Sequence, residues 1–290
     1  MSFLAETFVF DGHSCEEFGL MLGYIGQGGD DSSKFASGPT IVEQQVNRLW
    51  KPYFYGVTRP NKLTFQMQLV MAPCVTVNGV STERDSDAFL SRQQIADVTR
   101  WLTSPNSYRW LEIIQPDMYD DSAVVKPLYR YRCMITELEL NFINDKPCGF
   151  AATVTCDSPY AYLPEARTEI DLRANESVSL QVTNQSTMEQ LYYPFIQIRF
   201  ARGAGNISIE NTTTGQILTF NNLPTDIVRI NIDNERRILT SDTNANLYSY
   251  CNFGFIGLAR GQNDIIFTNG SLESDVRAAI ICNYPVDIGC

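Results

Sequence analysis

Apolar and polar residues alternate along much of the first half of the chain, and a period of two is typical of a β-strand with one buried face. Residues 63–71 show this alternation most clearly. Similar alternation, or a run of β-branched and aromatic residues, predicts further strands at residues 7–10, 109–114, 128–135, 137–142 and 149–156. The first half is therefore predicted to be rich in β-structure.

One segment of the first half follows the helical period instead. Within residues 92–103, apolar residues recur at intervals of three and four from Ile95 to Leu102, which places them on one face of a helix. Ser91 and Gln94 match the Ser-x-x-Gln capping box that begins many helices. The sequence predicts a single helix over residues 92–103.

The second half contains short strand-like segments separated by turn residues such as glycine, asparagine and aspartate. This spacing is typical of an antiparallel β-sandwich. The predicted strands are residues 195–200, 207–210, 216–220, 228–232, 237–240, 261–267 and 276–281. No helix is needed in this half.

The composition changes near residue 165. Pro159 and Pro164 flank a turn-rich stretch, and residues 166–290 contain no lysine, tryptophan or histidine. The sequence therefore predicts two domains, residues 1–165 and residues 166–290. The predicted fold class is mainly β: an N-terminal β-rich domain with one α-helix, followed by an antiparallel β-sandwich.

Composition and charge narrow the possible functions. The 290 residues are 44% hydrophobic and 19% charged, the ordinary balance of a folded protein. The net charge of −11 argues against a protein that grips nucleic acid through its phosphates. No apolar stretch approaches the length of a membrane span, and the first residues do not resemble a secretory signal. We therefore expect no membrane insertion, and folding in the cytoplasm of the cell that makes the protein.

Few residues suit catalysis or metal binding. His13 is the only histidine, so a multi-histidine metal site is excluded, and a catalytic dyad would have to pair it with Cys15. The eight cysteines include no Cys-x-x-Cys spacing, and reduced thiols are expected. The glycines of residues 26–33 match neither nucleotide-binding fingerprint and predict a loop. No residue is assigned a catalytic, cofactor-binding or metal-binding role.

Several stretches resemble one family of phage proteins. Residues 8–20 resemble the start of siphophage distal tail proteins, and residues 155–162 resemble the end of the first domain of these proteins. The second half is similar to their C-terminal galectin-like sandwich. The similarity includes the turn at Thr214 and Gly215, the segment 232–237 and the strand that begins at residues 261–263.

The resemblance implies a structural protein without enzymatic activity or cofactors. Copies of the N-terminal domain would form a hexameric ring that joins the tail tube to the tail-tip or baseplate hub, and DNA would pass through this ring at ejection. The C-terminal galectin-like domains would lie outside the ring and serve as a platform for receptor-binding proteins. The protein would be located at the tail tip of the virion.

Two other function classes stay open. The first alternative is a carbohydrate-binding module that recognises the host surface. Sugar-binding galectins use a tryptophan and usually a histidine, which residues 166–290 lack, although tyrosines there could stack on a sugar: Tyr192, Tyr193, Tyr248, Tyr250 and Tyr284. The second alternative is a tail hydrolase that uses Asp117, Asp120 and Asp121, but carboxylates within one loop do not fix the separation that such chemistry needs.

Ring assembly would give the first domain two further properties. Residues 1–165 hold 20 acidic and 13 basic residues, a net charge of −7. Acidic side chains in the lumen would repel DNA, whereas acidic side chains outside would aid solubility. Subunits are predicted to contact each other through pairing of strands and through the polar, glycine-rich loop at residues 26–38.

Overall fold

A computed structural model of the chain describes residues 7–25, 40–47, 49–58, 61–72, 74–77, 80–83, 89–114, 129–243, 245–271 and 274–287. The chain divides into two compact units, one extending up to Tyr162 and one spanning Leu163–Val286. The domain boundary at residue 165 stays a prediction, and separate fragments of the chain can test it.

The first unit is built around one antiparallel sheet. Its strands follow the order β2-β1-β9-β10-β11-β6-β3, with β12 beside β10, while β4–β5 and β7–β8 form separate two-stranded hairpins. The strands are β1 (Thr7–Phe10), β2 (His13–Ser14), β3 (Leu20–Ile25), β4 (Thr40–Gln44), β5 (Tyr53–Thr58), β6 (Thr64–Met71), β7 (Cys74–Val77), β8 (Val80–Glu83), β9 (Arg109–Ile114), β10 (Arg130–Ile143), β11 (Lys146–Cys156) and β12 (Ala161–Tyr162). A short 3-10 helix occupies Cys15–Phe18.

Helix α1 (Arg92–Thr103) confirms the predicted helix and its capping box. The backbone N–H of Gln94 donates to the Ser91 hydroxyl, and the Ser91 N–H donates to the Gln94 side chain at 3.0 Å. The helix buries Val98 and Leu102. Trp101 donates its indole N–H to the Phe10 carbonyl at 3.0 Å, which fixes the helix against β1.

The two strands predicted at residues 128–135 and 137–142 are in fact one strand, β10. Its pairing register with β11 shifts between Ile135 and Glu137. The hydroxyl of the intervening Thr136 donates to the Thr153 carbonyl at 3.3 Å. The extra residue interrupts the alternation of buried and exposed positions, and the sequence pattern alone therefore suggested a break.

The second unit contains two antiparallel sheets, ordered β13-β21-β15-β18-β19 and β14-β20-β16-β17. Its strands are β13 (Ala166–Leu172), β14 (Ser177–Asn184), β15 (Phe195–Phe200), β16 (Ile207–Asn211), β17 (Gln216–Phe220), β18 (Arg229–Asp233), β19 (Ile238–Ser241), β20 (Gly261–Asn269), β21 (Val276–Cys282) and β22 (Pro285–Val286). A short 3-10 helix lies at Leu247–Ser249.

Side chains from both sheets of the second unit share one core, so the predicted sandwich is confirmed. Alternate residues of β15, namely Ile196, Ile198 and Phe200, are fully buried or nearly so. They belong to the same apolar cluster as Ile265 and Phe267 of β20, on the other sheet. The galectin-like character of this sandwich stays a prediction.

Buried asparagines form hydrogen bonds to the backbone of an irregular segment of the second unit, residues 252–260. The Asn263 amide accepts from the Ala259 N–H at 2.8 Å and donates to the Ala259 and Gly261 carbonyls at 2.7 and 2.9 Å. Asn211 donates to the Gly257 carbonyl at 2.7 Å, and Asn234 accepts from Ile256 at 2.9 Å. These bonds satisfy backbone groups of a segment that is not part of a strand and has only isolated backbone bonds, as at Leu258.

Replacing Asn263 by alanine is expected to loosen this segment. The substitution removes the partners of the Ala259 N–H and carbonyl at once, at a cost of about 3 kcal/mol in the free energy of unfolding. Hydrogen exchange over residues 254–261 should accelerate, and calorimetry should show a lower unfolding temperature. Asn231→Ala is the control, because Asn231 makes only a 3.4 Å bond to Thr240. Equal effects of the two substitutions would contradict the assigned role.

The second unit is expected to fold as a separate monomer. Leu163 packs against its core, and the Leu163 N–H donates to the Tyr284 carbonyl at 2.9 Å. A fragment of residues 163–290 should therefore unfold about 5 °C higher than one of residues 166–290, which lacks these contacts. Circular dichroism during heating measures both. If both fragments are unfolded, the second unit does not fold without the rest of the chain.

Candidate functional site

The hairpin β4–β5 has apolar side chains that are exposed in the described part of its unit. Among the described strands, β4 and β5 pair only with each other. Trp50, in the connection, is 93% exposed, and Ile41, Phe54 and Tyr55 are each at least 60% exposed. An isolated two-stranded hairpin is marginally stable in water, and an exposed apolar patch of this kind marks an interaction surface.

The hairpin has little internal support beyond its backbone ladder. The pairing register shifts between Val42 and Glu43. Across the two strands, the Tyr55 hydroxyl donates to the Gln44 side chain at 3.2 Å. Aromatic and branched side chains project from both faces of this hairpin, so a partner on either face would bury apolar area.

A second apolar surface lies at the far end of β10 and β11. Phe142 and Ile143 are exposed there, as is Phe89. Asn144 and Asp145, which connect the strands, both have positive φ, 50° and 61°. These dihedrals suit the tight turns that match the twist of a hairpin. Phe89, Phe142 and Ile143 form a second group of exposed apolar side chains in the described part of the first unit.

His13 and Cys15 do not form a catalytic pair. The His13 ring lies 3.0 Å from the Glu17 carboxylate on the exposed surface. The contact with His13 is the main cause of the lowered pKa of Glu17. Cys15 is buried, and its sulfur accepts from the Phe8 N–H at 3.4 Å. Burial raises the pKa of the Cys15 thiol, which disfavours the nucleophilic thiolate.

The other buried thiols behave as core residues. Cys133 and Cys156 lie opposite each other in the β10–β11 pair. Burial raises the pKa of Cys156 to about 12 and that of Cys133 well above its ordinary value. Burial likewise raises the pKa of Cys282, in the second unit, to about 11. All three are free thiols, and the reduced state of the whole chain stays a prediction.

Some predicted features lie outside the described residues. These are the aspartates Asp117, Asp120 and Asp121 and the loop at residues 26–38. The contribution of the loop to subunit contacts stays a prediction. Within the described ranges, no cluster of three or more metal-binding side chains occurs. No helix in this part of the chain has the length and apolar character of a membrane span.

The tyrosines considered for sugar stacking have different surroundings. Tyr284 is buried and its ring lies 4.9 Å from that of Tyr192, so the Tyr284 ring has no face for a ligand. Tyr248 is partly exposed and stacks on Phe253 with ring centroids 6.0 Å apart. Phe253 is 59% exposed and has a φ of 59°, an uncommon value for a bulky residue. No pattern in the sequence had pointed to Phe253.

Comparisons with known proteins identify the family. A family model described as a phage tail protein N-terminal domain matches residues 3–158, and one described as a phage tail C-terminal domain matches residues 160–277. The chain belongs to this phage tail protein family. A search of curated proteins gave no match.

The tail protein also shares its fold with a solved phage structure, the Dit protein (gp 19.1) of phage SPP1. The TM-score is 0.53 at 12% sequence identity, over 96% of this chain and 98% of that chain. SPP1 Dit is described as a paradigm of the hub adsorption apparatus in phages that infect Gram-positive bacteria. The predicted membership of a phage tail protein family is thus confirmed, and the fold is shared with SPP1 Dit.

The buried thiols of the tail protein are expected to resist alkylation. When the native full chain is treated briefly with iodoacetamide at pH 8, mass spectrometry should find label on the partly exposed Cys148 and Cys251, whereas Cys133 and Cys156 stay unlabelled because they are buried and protonated. A reductant should leave the unfolding temperature unchanged. Equal labelling of Cys156 and Cys251, or a lower unfolding temperature in reductant, would contradict this assignment.

Proposed function

We propose that the tail protein is a siphophage distal tail protein that assembles into a hexameric ring. The ring joins the tail tube protein to the tail-tip or baseplate hub protein, and DNA passes through it without being held. The family match and the fold shared with SPP1 Dit support a structural role in the tail. The protein acts by binding other chains and has no enzymatic function.

The observation that carries this proposal is the exposed hairpin β4–β5. Burying one Phe, Leu or Ile side chain contributes about 1.5–3 kcal/mol. Several such side chains on one hairpin, Ile41 and Phe54 among them, can therefore outweigh an association cost of about 4–15 kcal/mol. If the hairpin of one copy packs on a different surface of the next copy, the contact is head-to-tail. Repetition of such a contact closes a ring when six equal rotations complete a full turn.

The second unit supplies a surface for host attachment. Its exposed Tyr248–Phe253 ring pair would accept a receptor-binding protein of the tail tip. Assembly takes place in the host cytoplasm, where reduced thiols are stable, and the finished ring is part of the virion. In this arrangement the first unit builds the tail axis and the second unit carries the adhesion components.

Replacing Phe54 by serine is expected to weaken self-assembly and leave the monomer folded, because the side chain is 64% exposed in the single chain. Losing one buried phenylalanine per interface should raise the concentration needed for half-assembly about ten-fold or more. Sedimentation velocity measures this concentration, and negative-stain microscopy shows whether the assemblies are rings.

Phe253→Ser is the matched control, because Phe253 is similarly exposed, 59%, but lies in the second unit. It should leave assembly unchanged. A full chain that stays monomeric at high concentration would overturn intrinsic ring formation. Equal weakening by both substitutions would show that the hairpin is not the interface.

A further inference from the structure

The edge strands of the two sheets in the second unit differ in how they are protected. β13 carries three exposed charged residues, Arg167, Glu169 and Asp171. The side chain of Asn252 forms hydrogen bonds to the backbone of β17, and the Tyr248 hydroxyl accepts from the backbone of β19 at 3.1 Å. Charged side chains and covering groups of this kind keep an edge strand from pairing with another chain.

β14 is the remaining edge strand of these sheets, and in the described part of the chain it lacks such protection. The strand, Ser177–Asn184, contains no charged residue and no proline. It pairs with β20 over its whole length without a register shift, and β20 is the only described strand that pairs with it. A long, regular and uncharged edge is a template for pairing with another strand.

The ladder with β20 identifies the backbone groups of β14 that face outward. The Asn269 N–H donates to the Glu176 carbonyl at 2.8 Å, one position before the first pair of the ladder, Ser177 with Thr268. Hydrogen-bonded pairs alternate with non-bonded pairs in an antiparallel ladder. The N–H and carbonyl groups of every second residue from Ser177 to Thr183 therefore point away from β20.

From this geometry we propose that β14 pairs antiparallel with β14 of a second copy of the chain, about a two-fold axis. The outward-facing groups meet only if odd-numbered residues lie opposite odd-numbered residues. The pairing that uses all of them sets Ser179 opposite Gln181, and Ser177 opposite Thr183, of the second copy. Each such pair exchanges two hydrogen bonds. The contact is isologous, and it is therefore separate from the head-to-tail contact proposed for the ring.

The side chains of β14 favour a second copy as the partner strand. In the same pairing Leu180 lies opposite Leu180, and Val178 opposite Val182, of the second copy, so apolar residues face each other on one side of the joined sheet. Val178 and Leu180 are only partly buried in the single chain, and pairing covers more of their surface. β13 provides the contrast, because pairing about its centre would set Glu169 opposite Glu169, and like charges directly opposite are destabilising.

Cysteine cross-linking of the full chain tests the pairing and its register. The double variant Ser179→Cys/Gln181→Cys places thiols of two copies opposite each other, so oxidation with copper phenanthroline should give a covalent dimer on a non-reducing gel. Mass spectrometry should find position 179 joined to position 181, and either substitution alone should give little dimer. The matched control is Glu169→Cys/Asp171→Cys, which places two exposed thiols at the same spacing on β13. Its dimer yield should equal that of the unmodified chain.

Gln181→Lys tests the same contact without a cross-link. It brings two like charges together near the axis and should weaken the pairing about five-fold. Thr240→Lys is the control, because Thr240 is also exposed on an edge strand, β19, but the Tyr248 hydroxyl already binds that edge. It should change the pairing by less than about two-fold, as expected of a screened surface charge. Sedimentation equilibrium measures both, since pairing doubles the mass of the species that carries it.

Equal dimer yields from the two double variants, a cross-link that joins position 179 mainly to position 179, or equal weakening by the two lysine substitutions would each overturn the proposal. Ring formation has a different readout, because it depends on the hairpin β4–β5 and responds to Phe54→Ser. A chain that forms the 179–181 cross-link but no ring would contradict the proposed ring and support the β14 contact, so the two failures are distinguishable.

Discussion

The pairing of β10 with β11 is the contact on which the first unit depends. β10 also pairs with β9, and β11 also pairs with β6, so this pair lies at the centre of the sheet. The close approach of β11 to β6 requires a glycine at position 149, because a Cβ atom there would lie 2.2 Å from the Leu69 carbonyl oxygen. The inner part of the pair buries Tyr131 and Val154. Its outer end extends into solvent and displays exposed apolar residues. One strand pair therefore forms both core and surface.

The sequence predicted most elements whose burial is regular, although it missed the alternating strands β13 and β14. β6, α1 and most strands of the second unit have a single buried face, so the period of their apolar residues identifies them. The hairpin β4–β5 showed no such signal, because all residues of β4 are exposed and no face is selected by burial. The bulge at Thr136 interrupts the alternation of buried and exposed residues, so the pattern did not reveal the full length of β10. Periodicity reports packing against the core of the same chain, so a fully exposed strand such as β4 escapes it.

The candidate surfaces could be predicted only in part. The strand at residues 109–114 was identified, but its alignment with Val9 of β1 and Arg130 of β10 follows from cross-strand register, which the periodicity of one segment does not contain. The apolar side chains of the hairpin are likewise visible in the sequence, but their exposure follows only from the fold.

Buried asparagines elsewhere in the unit fix much of the backbone path of residues 252–260. Asn211, Asn234 and Asn263 form hydrogen bonds to the backbone of this segment. Within the segment, the Asn252 side chain adds to this support, because it accepts from the Thr219 N–H at 2.9 Å. Phe253 projects outward from this path and makes no contribution to the core. Because Phe253 is 59% exposed, exchanging it would change the chemistry of this surface at little cost to the core. Sequence change at this position is therefore decoupled from the packing that stabilises the sandwich.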